Sequence, residues 1–177
     1  MESVKNLPTV EYKKILYTTD LSEAGRFAFP YAASIASRYA AQLTVFHVVE
    51  SREFEKYLVG YMSEDLWAEI KTRDLEAAKR ILINRKRNDT AIKSSVDQFC
   101  QETLSQQDGK PLMAYEIQVQ IGDPVEKILE EVKQGGYDLV VMGKHGHGGL
   151  KEAVTGDTAR RVIRRCKVPV MVVQLPG

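Results

Sequence analysis

The sequence predicts an α/β fold, an open parallel sheet with helices on both faces. Three observations carry this. Short runs of strand composition alternate with stretches whose apolar residues recur at helical spacing. The runs Leu43–Val49 and Asp138–Met142 are apolar almost throughout, as strands covered on both faces are. A chain of 177 residues, 44% hydrophobic and 28% charged, suits one ordinary domain and excludes disorder or a disulfide scaffold.

The elements follow in order. Lys14–Thr19 reads as the first strand, ending at Asp20. From Ala24 to Ala40 the period lengthens, and Phe27, Ala28, Tyr31, Ala32, Ile35 and Tyr39 form an amphipathic stripe. Asp20 or Ser22 caps this helix, with Glu23 in capping-box spacing from Asp20. Leu43–Val49 completes a β-α-β unit. The middle, about residues 51–107, is the least patterned. Trp67, Ile70, Ala78, Ile81 and Leu82 make one helical stripe, and Ile92, Val96, Phe99 and Cys100 make another. The polar run 84–90 separates them, and its Asn88-Asp89 favours a break.

Met113–Gln120 alternates apolar Tyr115, Ile117 and Val119 with polar residues, the period of a half-exposed strand. Asp123 then caps a helix, Pro124 takes its first position and Glu126 completes a capping box. Val125, Ile128, Leu129 and Val132 form its apolar face, and Gly135-Gly136 ends it. Asp138–Met142 is a strand. After a long loop, Ala159, Val162, Ile163 and Cys166 repeat the helical spacing, and Val168–Val173 is the last strand.

Composition bounds function as well. Twenty-five Lys and Arg against 24 Asp and Glu leave a net charge of +1, so no global field draws the molecule to nucleic acid or an anionic membrane. Arg85-Lys86-Arg87 has no aromatic neighbour for base stacking and reads as a solvated face. Cys100 and Cys166 have no metal or redox spacing and read as buried thiols of a reducing compartment. The first residues lack the apolar stretch of a secretory signal, and no segment reaches the length of a membrane span. A cytoplasmic protein is expected.

In open parallel sheets, ligands bind beyond the carboxyl ends of the strands. The loop after Asp138–Met142 is the place to look. Residues 143–158 hold five of the 12 glycines: Gly143, Gly146, Gly148, Gly149 and Gly156. Backbone N–H groups of such a loop, together with the next helix's N-terminus, can hold an anion. Glycines that merely shape a tight connection give the same pattern. Neither a P-loop nor the GxGxxG dinucleotide fingerprint is present. From Gly143 to Lys167 seven basic residues face only Glu152 and Asp157, and Arg164, Arg165 and Lys167 among them suit a helix C-terminus.

The spacing Gly143-x2-Gly146-x9-Gly156 resembles the nucleotide-binding signature of the universal stress protein family, in which Ser or Thr follows the third glycine. Tyr12–Glu23 is similar to the family's first strand and its aspartate turn, His47-Val48-Val49 to the end of its second strand, and Val119–Pro124 to the exit of its third. Val140–Gly143 and Val168–Val173 resemble its fourth and fifth. The likeness covers about residues 12–50 and 112–174. It describes one domain over residues 1–177 with a helical insert at about 51–110.

The resemblance implies a five-stranded parallel, Rossmann-like sheet that binds an adenine nucleotide, ATP or AMP, and pairs into a homodimer through Val168–Val173. It implies a stress-response sensor or signalling module. By position, Asp20 would accept from the adenine or ribose, with Thr18 packing nearby, and Val48 would offer backbone polar groups to the base. Met142 and Gly143 would line the ribose, and Gly146 and Gly156 would give N–H groups to the phosphates. His145 and His147 read as satisfied loop histidines rather than catalytic groups or metal ligands.

Asp157 departs from the pattern. Either it turns away or coordinates Mg²⁺, with Thr158 as substitute donor, or it fills the anion site. In the second case the cleft would prefer a nucleotide with fewer phosphates or stay empty, and an empty cleft would make the chain a dimeric interaction protein of the same fold that binds no nucleotide. Hydrolysis would need a positioned water and a base. Asp20, Asp157 and His145 are the candidates and no spacing singles one out, so a binding module is expected rather than an enzyme.

Overall fold

A computed structural model describes residues 9–50, 90–106, 114–145 and 155–176. It contains β1 (Lys14–Thr19), α1 (Glu23–Tyr39), β2 (Gln42–Val49), α2 (Thr90–Ser105), β3 (Tyr115–Ile121), α3 (Pro124–Gly135), β4 (Leu139–Gly143), α4 (Asp157–Arg165) and β5 (Val170–Val173). The helical stripe at Trp67–Leu82 and most of the polar run 84–90 lie outside the described residues.

The five strands form one parallel sheet in the order β3-β2-β1-β4-β5. Strand alternation divides β1 between two cores. Ile15 and Tyr17 face α1 and α2 with Val45, Phe99 and Val141. Leu16 faces α3 and α4 with Phe46, Val140, Val125 and Val162. Helices therefore cover both faces, and the apolar run of β4 has the two-sided burial its composition implies.

Helix α1 corrects the sequence in two ways. Its cap is Ser22, whose Oγ accepts from Gly25 N at 3.2 Å; Asp20 instead accepts from Ser22 N at 3.1 Å. No Asp20–Glu23 box forms, because Glu23 is already the first helical residue. Its buried face is Ala24, Gly25, Ala28, Phe29, Ala32, Ala33 and Ala36, whereas Tyr31 and Tyr39 are 46% and 47% exposed. The helix ends in a left-handed Ala40 with Ala41 N donating to Ala36 O at 2.8 Å, a Schellman closure without glycine.

Helix α3 starts as its sequence indicates. Asp123 accepts from Glu126 N at 3.0 Å, Pro124 is the first residue, and Gly136 closes the helix at φ 65°. Only half of the box exists, because the Glu126 carboxylate turns to Arg165. On the buried side Glu131 accepts from Tyr137 Oη at 2.8 Å. Val96, Phe99 and Cys100 of α2 are buried as their spacing requires, and burial pushes the Cys100 thiol up to about 12. Cys166, half-buried, is also a free thiol. On α4 the stripe holds for Ala159 and Val162 but not for Ile163, which is 48% exposed.

Candidate functional site

β1 has β2 on one side and β4, far later in the chain, on the other. The connections after β1 and β4 run to opposite faces of the sheet, to α1 and α4, which leaves a crevice at the strand ends, where such sheets take ligands. In register there stand Thr18 with Met142, Thr19 with His47, and Gly143 with Val173. The crevice is a cleft of about 400 Å³. Its strand-end wall is Thr18, Thr19, Asp20, Phe46, His47, Val48, Met142 and Gly143, and its helix wall is Pro124, Ile128 and residues 156–159.

The turn from β1 into α1 is fixed closely. Thr19 Oγ1 accepts from Leu21 N at 3.0 Å, and Asp20 Oδ1 accepts from Ser22 N. Leu21 sits at φ 65°, a conformation costly for a branched side chain; it holds there while packed against the core under α1. His47 Nδ1 lies 2.8 Å from Thr19 O, so that nitrogen is the donor. The floor is a close approach of backbones, where Gly143 meets Ala24 and Gly25 of α1.

On the helix wall, α4 begins with Gly156 as its cap residue and no side chain among the described residues capping it. The first intrahelical bond comes from Arg160 N to Gly156 O at 3.0 Å, so the N–H groups of Asp157, Thr158 and Ala159 have no partner within the helix. Gly156 N itself donates to Lys144 O at 2.8 Å. This amends the role its position suggested: Gly156 closes the base of the loop, and the open donors lie one to three residues on. Together the cleft and the open helix end can hold a planar apolar group with an anionic tail.

The sequence model of the universal stress protein family matches residues 11–174. The chain belongs to the universal stress protein family. Universal stress protein MJ0577 of Methanocaldococcus jannaschii is 28% identical over 176 residues, covering 94% of this chain and 97% of the relative. Universal stress protein YxiE of Bacillus subtilis is 27% identical over 166 residues, covering 92% and 99%. Among solved structures, that of MJ0577 superposes with a TM-score of 0.60 at 25% identity, covering 95% of this chain and 99% of the other. A universal stress protein in complex with cAMP shares the fold, with a TM-score of 0.57 at 18% identity and coverage of 93% and 98%.

Of the residues the universal stress protein signature singles out, Thr18, Asp20, Val48, Met142, Gly143, Gly156, Asp157 and Thr158 all line the one cleft. Gly146 and His147 lie outside the described residues. His145 lines the cleft too, but it is not the satisfied loop histidine its position suggested: Nδ1 is buried with no hydrogen-bond partner among the described residues. Asp157 does not cap α4. Its Oδ1 accepts from Arg160 Nη2 at 2.7 Å and its Oδ2 lies 3.7 Å from Arg161. Hydrogen bonding to Arg160 holds its carboxyl below the usual range.

Two of the basic residues of this region, Arg161 and Arg165, are engaged with carboxylates elsewhere. Arg165 grips Glu126 with two hydrogen bonds of 2.6 and 3.1 Å, and Arg161 reaches Asp123 at 3.8 Å and Glu126 at 4.0 Å. These pairs tie α4 to the start of α3. The Arg165 hydrogen bond holds Glu126 below its ordinary 4.5. A carboxyl depressed by folding stabilises the fold above its ordinary value and loses that contribution as the pH falls through the depressed one. The stability difference between wild type and Arg165→Gln should therefore be small and constant from neutral pH to about 4.5, then vanish in acid. Urea unfolding at a series of pH values reads this, and a difference undiminished in strong acid would remove the ion pair as its cause.

Proposed function

We propose that this chain binds an adenine nucleotide, ATP or AMP, in the cleft at the strand ends and works as a dimeric stress-response sensor of the cytoplasm. The observation that carries the reading is the convergence of the signature residues from β1, β2, β4 and the start of α4 on one cleft beside an open helix end. Asp20, whose carboxylate is oriented by Ser22 N, would accept from the ribose or the adenine amine. Val48 would meet the base through its backbone, with Thr18 beneath, and Met142 and Gly143 would border the ribose. The phosphates would lie against Gly146 and the N–H groups of Asp157, Thr158 and Ala159, with the Thr158 hydroxyl as a further donor. A relative of the same fold in complex with cAMP supports the class of ligand.

Pairing into a dimer would use β5. Its only partner among the described residues is β4, and Val170, Met171 and Val172 are half-buried, which leaves a strand edge able to add a second copy. Calorimetric titration with Mg-ATP, ADP and AMP should show micromolar binding of at least one of them, and Asp20→Ala should weaken it by about tenfold or more. Folded protein that gives no heat and no thermal shift with any of the three would overturn the reading.

A further inference from the structure

We propose that Arg160 sets how many phosphates the cleft accepts, by neutralising Asp157 at the anion-binding end. This rests on the nucleotide reading above and adds to it a selectivity device. Asp157 is the first residue of α4 and lines the cleft. Its negative charge therefore stands beside the N–H groups that would receive phosphate. Left bare, it would oppose an anion there, and the opposition would grow with each phosphate added.

The carboxylate is not bare. Arg160 Nη2 lies 2.7 Å from Oδ1, one helical turn on, and Asp157 is the one side-chain partner of Arg160 among the described residues. Arg161 lies farther off and divides its charge among Asp123, Glu126 and Asp157. Arg160 is thus the dedicated counter-ion. It acts through Asp157 as a positioning residue, holding the carboxylate along the helix flank so that it does not turn back over the helix end. The pair is exposed, with 62% and 63% of the two side chains accessible, so neither residue supports the core and substitutions should leave the fold intact.

A double-mutant cycle tests this. ATP, ADP and AMP are titrated with Mg²⁺ into wild type, Arg160→Gln, Asp157→Asn and the double variant, each checked for folding by circular dichroism. Arg160→Gln should weaken ATP about tenfold, ADP less and AMP by no more than about twofold. Asp157→Asn, which keeps the backbone N–H and removes the charge, should bind ATP more tightly than wild type. The double variant should recover ATP affinity to within about threefold of wild type, because no carboxylate remains to be neutralised. A double variant as weak as Arg160→Gln would mean that Arg160 touches the phosphates itself, and would overturn the proposal. Equal losses for ATP and AMP, or an Arg160→Gln variant indistinguishable from wild type, would overturn it as well while leaving the nucleotide reading intact. Wild-type protein that binds no nucleotide would instead remove that reading, and the selectivity device with it.

Discussion

Gly143→Ala should cost this protein about 3 kcal/mol or more of stability, read as a large drop in the urea midpoint. A Cβ at Gly143 would stand 2.8 Å from both the carbonyl carbon and oxygen of Ala24 and 3.0 Å from Gly25 N. All three are backbone atoms in the first turn of α1. They cannot rotate away, so either β4 or the whole helix start must shift. The same shift would open the floor of the cleft. Gly25→Ala offers a graded comparison: its Cβ would meet Thr19 Oγ1 at 2.6 Å, a side-chain atom that can turn aside by giving up its bond to Leu21 N. The loss there should be smaller. An alanine at 143 with wild-type stability would mean that β4 and α1 are not in this close contact.

Phe29→Ala should be comparably severe, about 3–5 kcal/mol, because a large ring is lost from a packed core and leaves a cavity. Phe29 is fully buried and joins three elements: its ring centroid lies 5.0 Å from that of Tyr17 on β1 and 5.9 Å from that of Tyr115 on β3. Phe27, two residues earlier and only partly buried, should cost about 1–2 kcal/mol on truncation. Equilibrium unfolding of the two variants should rank them in that order. Equal losses would contradict the seating of α1 on the sheet.

That contrast also shows where the sequence is hard to read. The expected stripe has Ala28 and Ala32 on the buried face, but it also takes in Tyr31 and Tyr39, which are exposed, and leaves out Phe29. Helix α1 meets the sheet mainly through Ala28, Ala32, Ala33 and Ala36, because the glycine contact at its start draws it too close for larger residues along much of that face. Aromatic residues on both flanks of the helix blur its period. Where the inward residues are large and the outward ones charged, as on α3, the spacing of Val125, Ile128 and Val132 gives the correct face. The strands were legible because four short runs of strand composition and one alternating run leave few alternatives; Lys14–Thr19 matches residue for residue.

The candidate site was legible as a set of residues and less so as a set of roles. Glycine spacing, strand ends and the family resemblance together suffice to bring Asp20, Val48, Gly143 and Gly156 to one cleft. They cannot show that Gly156 N is already bound to Lys144 O, since that depends on how the loop closes. The Asp157–Arg160 pair was available in principle from its i, i+3 spacing. It was hidden because a run of arginines after a glycine loop also suits a phosphate. The grip of Arg165 on Glu126 spans 39 residues and has no local signal at all.

The position of β1 has a consequence for how the molecule is made. This strand is central, and one carboxylate oxygen of Asp138 receives both Lys13 N and Lys14 N, at 2.7 and 2.8 Å. Lys13 and Asp138 are 125 residues apart, which at about 5–20 residues per second is roughly 6–25 s of synthesis. Throughout that interval the nascent β-α-β unit carries an apolar strand with one unpaired edge, the kind of edge that recruits other chains. The central strand is made first and gains its second neighbour only late in synthesis.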